Sequence, residues 1–176
     1  MENRVIEAMK KRRSVRSFDE RIPDQNLIDE VMEAGLYAAS GRGTQGTVIV
    51  QIENKKLGKE IRELNAKIGG WPTDFDPFYG APVILIVLTN KNISTHVYDG
   101  SLVMGNLMLA ADAVGLGSCW IHRAKEEFET EQGKEWLKEW GLEGEWEGIG
   151  HLALGYAKGA KPQAAPRKEG RIITMK

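Results

Sequence analysis

A chain of 176 residues, 41% of them hydrophobic, is long enough to close one substantial core, and domain sizes favour a single domain over 1–176. Its 24 basic and 25 acidic residues are interspersed and leave a net charge of −1, which excludes a chain-wide field that would attract nucleic acid or anionic lipid. The one cysteine, Cys119, excludes an intramolecular disulfide and points to a reducing compartment, the cytoplasm; with no basic-then-apolar leader and no apolar run near the roughly 20 residues that cross a bilayer, a soluble, unprocessed protein outside the membrane is expected.

In chain order, Val5, Ile6, Ala8 and Met9 recur at helical spacing between Glu2 and Lys11, and Lys10, Lys11, Arg12 and Arg13 follow. A short first helix thus delivers positive charge at its C-terminal end. Pro23-Asp24 can open a second helix, carried by Leu27, Ile28, Val31, Met32, Gly35, Leu36 and Ala39 and stopped by Ser40-Gly41-Arg42-Gly43. Val48 to Ile52 is β-branched and short, a strand, whereas Lys55 to Ile68 has the charge pattern of a surface helix that Gly69-Gly70-Trp71-Pro72 breaks.

Pro82 to Leu88 is apolar on both faces, the composition of a central strand covered by helices on each side. Tyr98 to Val114 is a largely apolar helix whose Gly105, Ala110 and Ala113 permit close packing, and it is the expected core and dimer helix. Ser118 to Ile121 and Ile149 to Tyr156 read as short strands separated by one tryptophan-bearing helical stretch, Glu127 to Trp140. The tail from Ala157 to Lys176 is polar and extended. Strands separated by helices without repeats indicate an α+β or α/β sandwich with a mixed sheet, whose strand order the pattern leaves open.

The densest chemical constellation is Lys11-Arg12-Arg13-Ser14-Val15-Arg16-Ser17-Phe18. Guanidinium forks bind phosphate oxygens bidentately and a serine hydroxyl serves a remaining oxygen, so the segment suits a phosphate; a solvated basic patch is the alternative from residue types alone. A nucleic-acid site would want interleaved aromatics, but Asp19 and Glu20 follow at once. Ala38 to Gln45 and Val114 to His122 each leave a helix through glycines, which allow a flat ligand to approach the backbone and equally serve as ordinary helix stops. His96, His122 and His151 are scattered, and neither CxxC, GxSxG nor a GxGxxG fingerprint after a strand occurs. Without a side-chain nucleophile or metal cluster, a bound cofactor would have to carry any reaction.

Taken in order, Arg12 to Phe18, Ala39 to Gln45, Gly115 to Trp120, Leu154-Gly155-Tyr156 and Pro166-Arg167-Lys168 resemble the nitroreductase family nearly end to end. The resemblance implies an α+β three-layer sandwich with a mixed central sheet flanked by helices, an intertwined homodimer, and FMN held at the subunit interface. It assigns Arg12, Arg13 and Ser14 to phosphate and ribityl contacts and Arg16 to the pyrimidine edge of the flavin. Ser40, Gly41 and Gln45 would come from the partner subunit, Trp120, Ile121 and His122 would line the ring, and Arg167 would close on the phosphate. The implied activity is ping-pong transfer of electrons from NADH or NADPH to a nitroaromatic, quinone or similar planar acceptor, with flavin N5 carrying the hydride and no catalytic side chain. A flavin-binding or flavin-storage protein is the alternative from another class, and an anion- or nucleic-acid-binding module is a third. Gly43 stands where family members often have asparagine, Gly46-Thr47 where they often have proline and an aromatic residue, and the segment from Ile52 to Pro82 is short, so a different pocket rim and substrate choice are expected.

Overall fold

The computed structural model describes residues 3–175; Met1, the Glu2 that opens the expected first helix, and Lys176 lie outside the described residues. The order is α1 (Arg4–Lys11), α2 (Gln25–Leu36), a 3-10 turn (Gly41–Gly43), β1 (Thr47–Ile52), α3 (Lys55–Gly69), β2 (Val83–Asn90), α4 (His96–Ala113), β3 (Gly117–Ile121), α5 (Ala124–Glu129), α6 (Glu131–Glu139) and β4 (Trp146–Gly155). The strands form one sheet in the order β1-β2-β4-β3.

Strand β2 organises the core because its side chains alternate between two apolar layers. Ile84, Ile86 and Leu88 point to the side covered by Ile61 of α3, Phe128 of α5 and Trp136 of α6. Val83, Leu85 and Val87 point to the side covered by Ile28 and Val31 of α2 and by Met104 and Leu107 of α4. The result is a three-layer α+β sandwich, as the doubly apolar strand foretold.

All three ladders are antiparallel, which corrects the expectation of a mixed sheet. Among the described residues the single parallel element is an isolated bridge between Ser14 and Ser118. A strand buried on both faces reports burial, and burial alone does not set strand direction.

A second correction concerns the expected helix from Glu127 to Trp140, which is two helices. Thr130 divides them: its hydroxyl donates to Glu127 O at 2.6 Å and accepts from Gly133 N at 3.0 Å, ending α5 and capping α6. Asn3 and Asn54 cap α1 and α3 in the same manner. Gly70, at φ 69°, closes α3 in the left-handed conformation.

Where β2 meets β4 the register shifts between Val87 and Leu88, which pair with Gly150 and Gly148 and leave Ile149 as the extra residue of a bulge. Gly148 and Gly150, which flank the extra residue, pack closely against Ala124 of α5 and Trp120 of β3. No helix among the described residues is long and apolar enough to cross a membrane.

Candidate functional site

The arginine segment leaves α1 at Arg12 and runs in extended conformation along the start of β3 and the end of β4. Val15 N donates to Ser118 O at 2.9 Å, Asp19 N to Tyr156 O at 2.9 Å, and Lys158 N to Ser17 O at 2.9 Å. Val15 and Phe18 are buried and fix the segment, which leaves Ser14 half-buried and Arg16 exposed. Two blocks read separately in the sequence, Arg12 to Phe18 and Gly115 to Trp120, are therefore one structural unit.

The arginines are arranged unequally. Arg13 folds back on the end of α1, where Nη1 donates to Lys10 O at 2.7 Å and Arg12 O at 2.6 Å, so helix carbonyls share its charge. Its Nε, and Nη1 of Arg12, are shielded from water and have no hydrogen-bond partner among the described residues. Cys119 sits behind this cradle: burial pushes its thiol up, while Arg16, a hydrogen bond from Ser14, and Arg12 oppose that shift.

Ser40, Gly41 and Gln45 belong to a turn at a different place. Asp99, buried near the start of α4, accepts from Gly41 N at 3.0 Å and from Thr95 Oγ1 at 2.9 Å, while Ser40 Oγ accepts from Gln45 N at 3.1 Å. Arg42 at φ 56°, Gly43 at φ 66° and Gln45 at φ 48° make the turn tight and left-handed. A Cβ on Gly41 would lie 2.3 Å from Thr95 Oγ1, so the approach of the two segments requires glycine there. A cavity of about 250 Å³ opens between Ser40, Gln45, Asp99 and Val103.

The two halves of the expected site lie at opposite ends of α4. The turn is tied to its N-terminal end and the arginine cradle to the β3 start that follows its C-terminal end; its 18 residues span about 27 Å. One chain does not bring Arg12 and Gly41 together.

Along β3 the expected ring-lining residues also divide. Trp120 is half-buried against the α2–α4 layer, with its indole lying over Gly150, where a Cβ would come within 2.1 Å of Nε1. Ile121 points the other way and is buried in the α3–α5 layer, so its backbone is the part a ligand can reach. Arg167 lies in the exposed tail with its guanidinium on Ala165 O at 3.2 and 2.6 Å, and no hydrogen bond ties it to the cradle.

His122 ends the row, exposed, with Nδ1 accepting from Arg123 N at 2.7 Å. Arg123 is left-handed at φ 82°, and its guanidinium lies 4.3 Å from the Trp71 ring centroid. Beneath the turn, Asn65 Nδ2 donates to His122 O at 2.9 Å and, in a short hydrogen bond, to Glu127 Oε1. Glu127 Oε2 is 3.0 Å from His151 Nε2, an ion-pair separation without hydrogen-bond alignment, and neither side chain is exposed. Phe78 meets the His151 imidazole edge-on at 5.3 Å.

Sequence reasoning missed Asn65, Asp99, Glu127 and His151 as parts of this region. His151 read as one of three scattered histidines, and Glu127 as one charge among many. The one signal was Glu127 beside Phe128 on the apolar side of a helix, a carboxylate where a core residue belongs.

Residues 9–156 match the model of the nitroreductase family. The chain belongs to the nitroreductase family. It is 29% identical over 120 residues to a Methanothermobacter thermautotrophicus protein provisionally named NADH dehydrogenase/NAD(P)H nitroreductase, covering 66% of this chain and 59% of that one. To an FMN reductase (NAD(P)H) of Bacillus subtilis it is 27% identical over 134 residues, covering 66% of this chain and 53% of that one. The matched stretches thus span little more than half of these relatives. Among solved structures, a nitroreductase with bound FMN from Bacteroides fragilis superposes with a TM-score of 0.88 at 26% identity, over 99% of this chain and 100% of that one.

Proposed function

We propose that this chain is an FMN-dependent oxidoreductase that passes electrons from NADH or NADPH to nitroaromatic, quinone or similar planar acceptors in a ping-pong cycle, working in the cytoplasm as a homodimer. The observation that carries the reading is the pair of buried, partnerless guanidinium nitrogens, Arg12 Nη1 and Arg13 Nε. A solvated basic patch would leave these nitrogens in water. A buried donor without a partner costs about 1–3 kcal/mol, and a phosphate oxygen recovers it with a charge-assisted bond. The residues present therefore fit FMN, the group that the Bacteroides fragilis neighbour binds.

FMN, when bound, supplies the hydride chemistry at its N5. Arg12, Arg13 and Ser14 would hold its phosphate and ribityl oxygens, and Arg167 of the exposed tail would add a further guanidinium to the phosphate. Arg16, exposed beside the cradle, would offer positive charge to the pyrimidine edge of the bound cofactor and so favour its reduction. Trp120, the Ile121 backbone and His122 border the ring and fix where a donor or acceptor can stack, so that a bimolecular encounter becomes an oriented one.

The divided site supports the homodimer reading: one chain holds Ser40, Gly41 and Gln45 at the far end of α4 from its arginine cradle, so a second copy would have to bring them to it. On α4 the residues Tyr98 and Leu102, one turn apart, are 73% and 51% exposed, and Tyr37 nearby is 81% exposed. Such an apolar face suits an interface.

The test is the visible spectrum of the purified protein under anaerobic conditions, before and after NADH or NADPH, with sedimentation on the same sample. Flavin that bleaches in a dimer supports the reading. Flavin that stays oxidised with either nicotinamide indicates a carrier, and absence of flavin after FMN addition refutes it.

A further inference from the structure

Three polar side chains with no solvent exposure, Asn65 from α3, Glu127 from α5 and His151 from β4, meet beneath the exposed His122–Arg123 turn. Burying two ionisable groups is expensive, and apolar residues of similar size would commonly be as stable or more so. The cluster is linked to the surface turn by the His122 carbonyl, which accepts from Asn65 Nδ2 at 2.9 Å.

Fixing that carbonyl inward sets the following peptide. Arg123 adopts φ 82° and its N–H donates to His122 Nδ1. Trp71 holds the same turn from the other side by stacking under the Arg123 guanidinium. A neutral imidazole whose Nδ1 accepts must carry its proton on Nε2. The turn therefore presents an N–H donor on an exposed ring. From Ser118, which pairs with the arginine segment, to His122 the chain advances about 13 Å along β3, away from the phosphate cradle and along the row assigned to the flavin ring.

We propose that His122, through Nε2–H, is a hydrogen-bond donor to the acceptor's oxygen, and that Asn65, backed by Glu127 and His151, is the positioning residue that sets this tautomer. The proposal rests on the reductase reading above and narrows the acceptor to a planar compound that gathers negative charge on oxygen, a quinone above all. When a quinone takes the two electrons and one proton of a hydride equivalent, originally from NADH or NADPH, an O–H bond forms at one carbonyl oxygen, both carbonyl π bonds give way to the aromatic ring, and the displaced electron pair comes to rest on the distal oxygen as the hydroquinone monoanion. That oxyanion is what the imidazole N–H stabilises. Water then supplies the second proton to give the hydroquinone, and the imidazole ends the step neutral as it began.

Two measurements test this. In protein labelled with ¹⁵N-histidine and without added cofactor, long-range ¹H–¹⁵N NMR should show His122 with a protonated Nε2 and an accepting Nδ1. Asn65→Ala should give a mixture of tautomers, while Arg123→Gly, which adopts φ 82° without strain, should keep the wild-type form. A wild-type His122 protonated on Nδ1, or an Asn65→Ala spectrum indistinguishable from wild type, overturns the proposal. In the flavin-loaded enzyme, the ratio of kcat/KM for a quinone to that for ferricyanide, which accepts an electron without a proton, should fall about tenfold in His122→Phe. An unchanged ratio overturns the donor role. If Asn65→Ala does not fold, the wild-type tautomer and the His122→Phe ratio still decide. If FMN does not bind, the reductase reading fails by itself and the acceptor role falls with it, whereas the tautomer result stands separately.

Discussion

Replacing Arg12 with alanine separates two effects that usually move together. Nη1 of Arg12 is shielded from solvent with no hydrogen-bond partner among the described residues, so in the cofactor-free chain its removal takes away a desolvated donor and sacrifices none of the hydrogen bonds they make. Apo stability should stay within about 1 kcal/mol of wild type, on the side of a gain. FMN binding should suffer instead. A charge-assisted hydrogen bond contributes about 1.5–3 kcal/mol, which corresponds to a dissociation constant raised about 10- to 150-fold. Quenching of FMN fluorescence on titration with apo protein reads the second quantity, and thermal denaturation of the apo protein reads the first. An FMN affinity within twofold of wild type would show that the orphaned nitrogen does not face the phosphate. A large loss of apo stability would show that Arg12 is a structural residue whose partner forms only in solution.

Gly150→Ala places a methyl 2.1 Å from Trp120 Nε1, so the indole must leave its seat; stability should fall by about 1–3 kcal/mol with a red shift of tryptophan emission, and an unshifted spectrum would contradict the packing. Glu127→Ala leaves His151 buried opposite nothing and should cost about 3–5 kcal/mol in urea denaturation, against a smaller loss for Glu127→Gln; equal effects would show that charge is not what the pair contributes. Cys119 titrates above its ordinary value because it is buried, so the folded state disfavours the thiolate. Its contribution is complete below the unfolded thiol's value of about 8.5 and is lost as pH rises toward the raised folded value. Wild type should therefore lose stability more steeply than Cys119→Ala between pH 8 and pH 10, and parallel curves would remove the effect.

The sandwich was legible because β2 is apolar at every position from Val83 to Leu88, a short, largely β-branched run with the composition of a strand covered on both faces. The boundary between α5 and α6 was not, since Thr130 stops one helix and caps the next by side-chain bonds that periodicity does not register. At the site, the Arg12–Phe18 block announced itself through a rare local density of donors. The position of Ile121 did not, because alternation along a five-residue strand gives opposite faces to neighbours but does not say which face is open. Asn65, Glu127 and His151 lie 24 to 86 residues apart in sequence and share no pattern; only the packing of α3, α5 and β4 makes them one group.

The separation of Ser40-Gly41 from Arg12 by the length of α4 also bears on how damage would be inherited in an assembly of two copies. If each cofactor pocket draws its cradle from one chain and its turn from the other, a chain defective at Arg12 and a chain defective at Gly41 are each barren as homodimers. Mixed together after unfolding, they pair into a heterodimer in which both lesions fall on the same pocket and the other pocket is made wholly of sound parts. Two dead proteins would then recover colour on co-refolding, a form of complementation open only to a fold whose ligand site is shared across its own symmetry axis.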